Sequence, residues 1–302
     1  MAVTLYYAGL GGSLCQLAPY VTGRCVLLKD GSFAASKAPV QLDEDIALPA
    51  AYLGETPDGG DVEPYDMYAL SGRAWPSLVV WLATFPYRRV TWWMTHTEST
   101  LNVVGPLPWR LNVGQASDRA HALAYTRRAM AASPTTQQFV LFGRSRGSAV
   151  ALDVFVLLTD AERARVSLVL LEGTFEHSED VLDTRYAHRP WMHRAALAFL
   201  RWCGGGWKDA QEREAAVFGQ GRLEHALRTS TCPIAIVTSA ADWPVPPSNA
   251  ANLKRRLEVA GLGRDRLHWL QLERADHSNY ATSDAEDAAR YSDFLRPLLK
   301  GM

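Results

Sequence analysis

Four cysteines, Cys15, Cys25, Cys203 and Cys232, are all that these 302 residues contain, and none stands in CxxC spacing. That scarcity points away from a disulfide framework and from a zinc site. Positive charge is not in surplus either: 31 Lys and Arg against 32 Asp and Glu leave a formal net charge of -1. A chain without a basic excess has little to offer a phosphate backbone, so nucleic acid is not expected as a partner. No run of about 18 apolar residues occurs, which argues against a membrane span. The opening MAVTLYYAGLGGS lacks both a cationic start and a long apolar core, so no signal peptide is expected. Repeats and low-complexity tracts are missing as well. These absences leave a soluble protein of a reducing compartment, the cytoplasm, as the expectation.

What is present has ordinary globular composition, 48% hydrophobic and 21% charged. Short β-prone runs at Ala2 to Tyr7, Cys25 to Leu28, Arg89 to Met94, Gln138 to Phe142, Val166 to Leu171, Ile234 to Thr238 and Leu267 to Leu272 alternate with longer stretches. Among those, Trp75 to Phe85, Ser117 to Met130 and the residues after Gly147 read as helices. Ala34 to Asp66 shows no sustained period and reads as a surface excursion. Ser283 and Glu286 have capping-box spacing and mark the start of a last helix running to about Leu299. Strands alternating with helices of this length imply an α/β fold, a mostly parallel sheet covered on both faces.

The chemistry gathers around Gly143-x-Ser145-x-Gly147. The motif lies between an apolar strand and an apolar helix, where a turn this tight forces the central serine into a strained conformation with its hydroxyl clear of the sheet. The plain alternative is a glycine-rich turn that merely starts a helix. On the functional reading, the backbone N–H of Arg146 at the helix start can donate to a developing oxyanion.

A serine hydroxyl is a weak nucleophile at neutral pH and needs a base, which in turn needs an orienter. His277 lies in a polar loop after the last strand, at the edge of the sheet where the serine turn sits. His121, His188, His193, His225 and His268 read as surface or structural residues, and His96 has no evident orienter. Asp242 follows the strand Ile234 to Thr238 and can hold the histidine by Nδ1–H. Glu172, at the end of Val166 to Leu171, is its rival, with Asp242 favoured. Asp276 is adjacent to His277, and neighbours in a loop point apart. Gly9, Arg144 and Trp243 are candidate substrate contacts. Pairing with a nearby acid is the plainer reading for Arg144.

The stretches FVLFGRSRGSAVAL (139–152), IVTSAADWPVP (236–246), RADHSNY (274–280) and, more weakly, YYAGLGGS (6–13) resemble the α/β-hydrolase superfamily. The resemblance covers nearly the whole chain and is strongest from about 137 to 300. It implies a nucleophile–acid–base order Ser145, Asp242, His277, with the backbone of Leu10 as second oxyanion donor. It also implies a helical cap at 174–230 over a core of 1–173 and 231–302. Relatives carry His where this chain has Ala8, and rarely flank the serine with two arginines. The activity implied is hydrolysis of a small-molecule carboxylic ester or thioester, with no metal or organic cofactor. Acyl transfer, amide or peptide cleavage, and a non-catalytic binding protein on the same fold are the alternatives.

Overall fold

The computed structural model describes residues 2–7, 21–22, 48–49, 116–203, 209–277, 279–281 and 283–300. The readings at Cys25 to Leu28, Trp75 to Phe85 and Arg89 to Met94 lie outside these residues. Among them, five parallel strands form one sheet in the order β1 (Val3–Tyr7), β4 (Phe139–Arg144), β5 (Val166–Glu172), β6 (Ile234–Ser239), β7 (Leu267–Leu272). The two-residue strands β2 (Val21–Thr22) and β3 (Leu48–Pro49) pair with each other in parallel, so part of the expected surface excursion has a strand partner.

Runs such as Val-Leu-Leu in β5 and Ile-Ala-Ile-Val in β6 suit strands covered on both faces, and β4 and β6 are buried along their whole lengths. Helix α1 (Ala116–Ala132) precedes β4. Helix α2 (Arg146–Leu157) follows it at once and is buried from Arg146 to Val156. The short helix α3 (Asp160–Arg163), opened by a Thr159 capping box, leads into β5. Between β5 and β6 come α4 (Ser178–Tyr186), α5 (Pro190–Cys203), α6 (Asp209–Arg213), a π-helical turn at Glu214–Phe218 and α7 (Arg222–Thr229). Val217, Phe218, Leu223, Ala226 and Leu227 from the end of this insert join the main core. Helix α8 (Pro247–Val259) separates β6 from β7, and α9 (Ala285–Leu299) closes the described chain.

The start of α9 corrects the capping expectation. Asp284 is the N-cap, its carboxylate accepting from the amides of Glu286 and Asp287, each at 3.0 Å. Ser283 instead accepts the Asp276 amide at 2.9 Å and braces the loop before the helix. An ionised side chain is the stronger acceptor at a helix N-terminus, because the first-turn amides carry the positive end of the helix dipole.

Because every strand of the sheet runs the same way, β4, β5, β6 and β7 all end at one rim. The register pairs Arg144 with Glu172, Glu172 with Val237, and Ser239 with Leu272. The loops that leave these ends emerge side by side, the usual location for a ligand site in a parallel sheet. Among the described residues no helix is long and apolar enough to cross a membrane.

Candidate active site

At the end of β4 the chain turns into α2 within a single residue. That residue is Ser145, with φ 50° and ψ -125°, a conformation L-residues avoid. Holding it there costs on the order of 1–3 kcal/mol, which the surrounding packing must offset. Gly143 makes the turn possible: a Cβ at that position would overlap the backbone of Gly147 and Ser148. The Ser145 amide continues the ladder to the Glu172 carbonyl at 2.7 Å. Its own carbonyl accepts from the amide and hydroxyl of Ser148, at 2.9 and 2.5 Å. The backbone is thus clamped on both sides while Arg146 begins the helix.

At the ends of β6 and β7 the structure brings Asp242 and His277 together. Asp242 is 2% exposed and its Oδ2 lies 2.8 Å from Nδ1 of His277. The Tyr280 hydroxyl donates to the same oxygen, and the Val245 amide donates to Oδ1 at 2.8 Å. A carboxylate facing Nδ1 favours the tautomer with its proton on that nitrogen, which leaves Nε2 as an acceptor.

Gly173, the first residue past β5, connects the two halves. Its φ is +54°, and a Cβ there would meet Cε1 of His277 and the Tyr280 oxygen, both at 3.1 Å, and Oδ2 of Asp242 at 3.3 Å. The imidazole therefore rests against the residue next to Glu172, whose carbonyl holds the Ser145 amide. Neither Gly173 nor Tyr280 stood out in the sequence. A glycine directly after an apolar strand was the available signal for the first; nothing local marks the second.

The loop carrying His277 is anchored by Asp287 of α9, whose carboxylate accepts the amides of Arg274 (2.6 Å), Ala275 (2.8 Å) and Glu273 (3.1 Å). Burial works against its charge, but these amides and Arg290 hold its carboxyl below the usual range.

Glu172 is engaged elsewhere. Nε of Arg144 lies 2.9 Å from its Oε2, and the Tyr291 hydroxyl donates to Oε1 at 2.5 Å. Arg144, weighed as a contact for an anionic substrate, is 1% exposed and points into the core; the plainer reading matches. On its other side is Tyr6, whose phenol burial pushes above the usual range while Arg144 pulls it down. Trp243 is half exposed beside Asp242, and Trp191 stands free at 71%. Gly9, Leu10 and His96 lie outside the described residues. His193 faces Asp183 at 2.6 Å and His225 faces Asp160 at 3.3 Å.

His177 drew no attention in the sequence, yet with Glu176 and Glu214 it forms a group whose ligand-type atoms lie within 4.8 Å of one another. Arg256 Nη1 sits 2.5 Å from Glu176 and 2.7 Å from Glu214, supplying the positive charge in place of a cation. Burial opposes ionisation of both histidine and glutamate here. Their mutual hydrogen bond still raises the His177 pKa, and the same bond together with Arg256 lowers that of Glu176.

No family model matches this chain, and no curated protein matches it. Among solved structures it is similar to an esterase from Pyrococcus furiosus, at 11% identity and a TM-score of 0.39 over 61% of this chain and 63% of that one. It is also similar to carboxyl esterase 2 from Tuber melanosporum, at 15% and 0.45 over 62% of each chain. A third is acyl-protein thioesterase 2 from Zea mays, at 13% and 0.38 over 61% of this chain and 65% of that one. The chain spans less than two thirds of the length of each of the three. Likeness this distant carries no argument about activity, which has to come from the side chains themselves.

Proposed function

We propose that this chain is a serine hydrolase of the α/β-hydrolase type, acting on carboxylic esters or thioesters of small molecules. The observation that carries the reading is the strained Ser145 at the strand–helix turn, on the rim where Asp242 and His277 pair at 2.8 Å. Strain of this kind persists where surrounding structure over-determines it, and nucleophile turns are such places.

The steps proposed for this reading are those of acyl transfer through a serine. Nε2 of His277 takes the Ser145 proton as Oγ attacks the carbonyl carbon, forming the C–O bond and a tetrahedral oxyanion. The Arg146 amide, and that of Leu10 by resemblance, donate to this oxygen. Collapse breaks the bond to the alcohol or thiol, which leaves with the proton from Nε2. Water then adds to the acyl group with His277 again as base, releasing the acid and restoring the serine. Asp242 holds Nδ1–H and balances the transient imidazolium.

The insert between β5 and β6 serves as a lid over this rim. Its Val217 to Leu227 end is rooted in the core, and Val181 of α4 packs on the small apolar cluster of Ala149, Phe175 and Val245 beside the serine turn. A cover of this sort excludes water and shapes specificity.

A fluorophosphonate probe tests the reading directly. Ser145 should be the labelled residue, and Ser145→Ala should lower p-nitrophenyl ester turnover by about 10⁴- to 10⁶-fold without loss of folding. A folded protein whose Ser145 never reacts is not this enzyme.

A further inference from the structure

Helix α4 presents two unlike side chains to the acid loop. Val181 enters the apolar cluster next to the serine turn. Arg185, four residues on, shares its helix face and stacks its guanidinium carbon 3.7 Å from the centre of the Trp243 ring. Trp243 directly follows Asp242. A hydrogen bond of 3.4 Å from Asn249 Nδ2 to Thr184 ties the helix to the first turn of α8.

Three arginines of this region have carboxylates. Arg213 holds Asp153 at 2.6 Å, Arg256 holds Glu176 and Glu214, and Arg119 reaches Glu212 at 3.4 Å. Arg185 faces no carboxylate among the described residues, and its buried Nε has no hydrogen-bond partner there. Burial draws its pKa below the usual arginine range, with only the Tyr186 phenol opposing. A guanidinium stacked on an indole has one face satisfied while its N–H donors remain directed outward in the plane, a geometry that fits a carboxylate in two-point contact. The single positive charge also matches a carboxylate better than a phosphate monoester, which carries nearly two negative charges at neutral pH.

We propose that Arg185, held over the Trp243 ring beside Asp242, forms a subsite for a carboxylate on the substrate, so that the enzyme prefers acyl groups ending in an acid over neutral ones of similar length. The proposal rests on the hydrolase reading above and names its substrate class.

Two substrates test it: mono-p-nitrophenyl glutarate, which is anionic, and p-nitrophenyl butyrate, which is neutral. Arg185→Gln should lower the ratio of their kcat/KM values, anionic over neutral, by about 10- to 100-fold. Arg185→Lys keeps the charge but loses the planar fork, and should lower the ratio several-fold. An unchanged ratio overturns the proposal and leaves Arg185 as a packing residue; if the Gln variant does not fold, the Lys variant decides on the same terms. A second measurement needs no turnover. Glutarate binding to Ser145→Ala protein, followed by calorimetry, should weaken by a similar factor when Arg185→Gln is added, and equal affinity counts against the subsite. If Ser145 resists the fluorophosphonate while glutarate binding still depends on Arg185, the subsite stands and the hydrolase reading falls.

Discussion

Glu172 and Asp242 invite comparison, for one ends β5 and the other follows the neighbouring parallel strand β6, and they are almost equally hidden, at 1% and 2% exposure. Chemically they are the same group. Glu172 meets the guanidinium of Arg144 and the Tyr291 hydroxyl, so its charge is neutralised inside the core. Asp242 meets an imidazole that is itself only partly buried. One carboxylate is consumed in holding β4, β5 and α9 together, while the other faces an imidazole at the rim of the sheet. The partner, more than the depth of burial, separates a structural acid from one that can orient a base.

The widest separation should come from exchanging each acid for its amide. Asp242→Asn should lower kcat by about 10⁴-fold, because the amide favours the wrong histidine tautomer, with little change in the urea midpoint. Glu172→Gln should keep most turnover yet lose about 3–5 kcal/mol of stability, since Arg144 is left charged in the core. The reverse pattern, turnover lost with Glu172 and kept with Asp242, would move the acid to Glu172. Replacing the pair together, Arg144→Met with Glu172→Leu, should recover most of that stability; urea titration that shows added losses instead would mean the ion pair is not isolated.

Next in size is Gly173→Ala. Positive φ alone costs about 1 kcal/mol, and the new methyl would press on the imidazole and the Tyr280 hydroxyl. Turnover should drop by about 10- to 100-fold through a shifted base, with KM moving less than kcat. Wild-type kinetics in this variant would show that the glycine does not position the ring.

Asp287→Asn extends the comparison to a third buried acid, one satisfied by amides. Its folded pKa is depressed, so its contribution to stability is complete above the ordinary aspartate value of about 4 and disappears as pH falls through the lower folded value. The variant should be about 1–3 kcal/mol less stable at neutral pH, and the gap should close in urea titrations run progressively below about pH 4. A gap that stays constant on acidification would exclude this linkage. The smallest effect belongs to Tyr280→Phe, which removes one of the donors on Asp242 and should cost about 1 kcal/mol, read as a several-fold fall in kcat.

Much of the architecture was legible because its signals are local. Val166 to Leu171 announced β5 by composition and Gly143-x-Ser145-x-Gly147 announced the turn, and the structure places Val166–Glu172 as a strand and Ser145 at positive φ. The cap of α9 was read one residue early, at Ser283, since spacing alone does not say which of two adjacent oxygens faces the helix.

The sequence by itself determined the parallel α/β layout, the turn that strains one serine, and the order in which three polar residues follow separate strands. Those properties depend on periodicity and on the steric demands of a few neighbouring residues. Only the tertiary structure decided which acid meets His277, what Arg144 is paired with, and that Gly173 and Tyr280 border the imidazole. The Arg144–Glu172 contact joins residues 28 apart and the Asp242–His277 contact residues 35 apart. Contacts of that span are set by the register and closeness of whole strands, a consequence of packing the entire sheet that no short stretch of chain encodes.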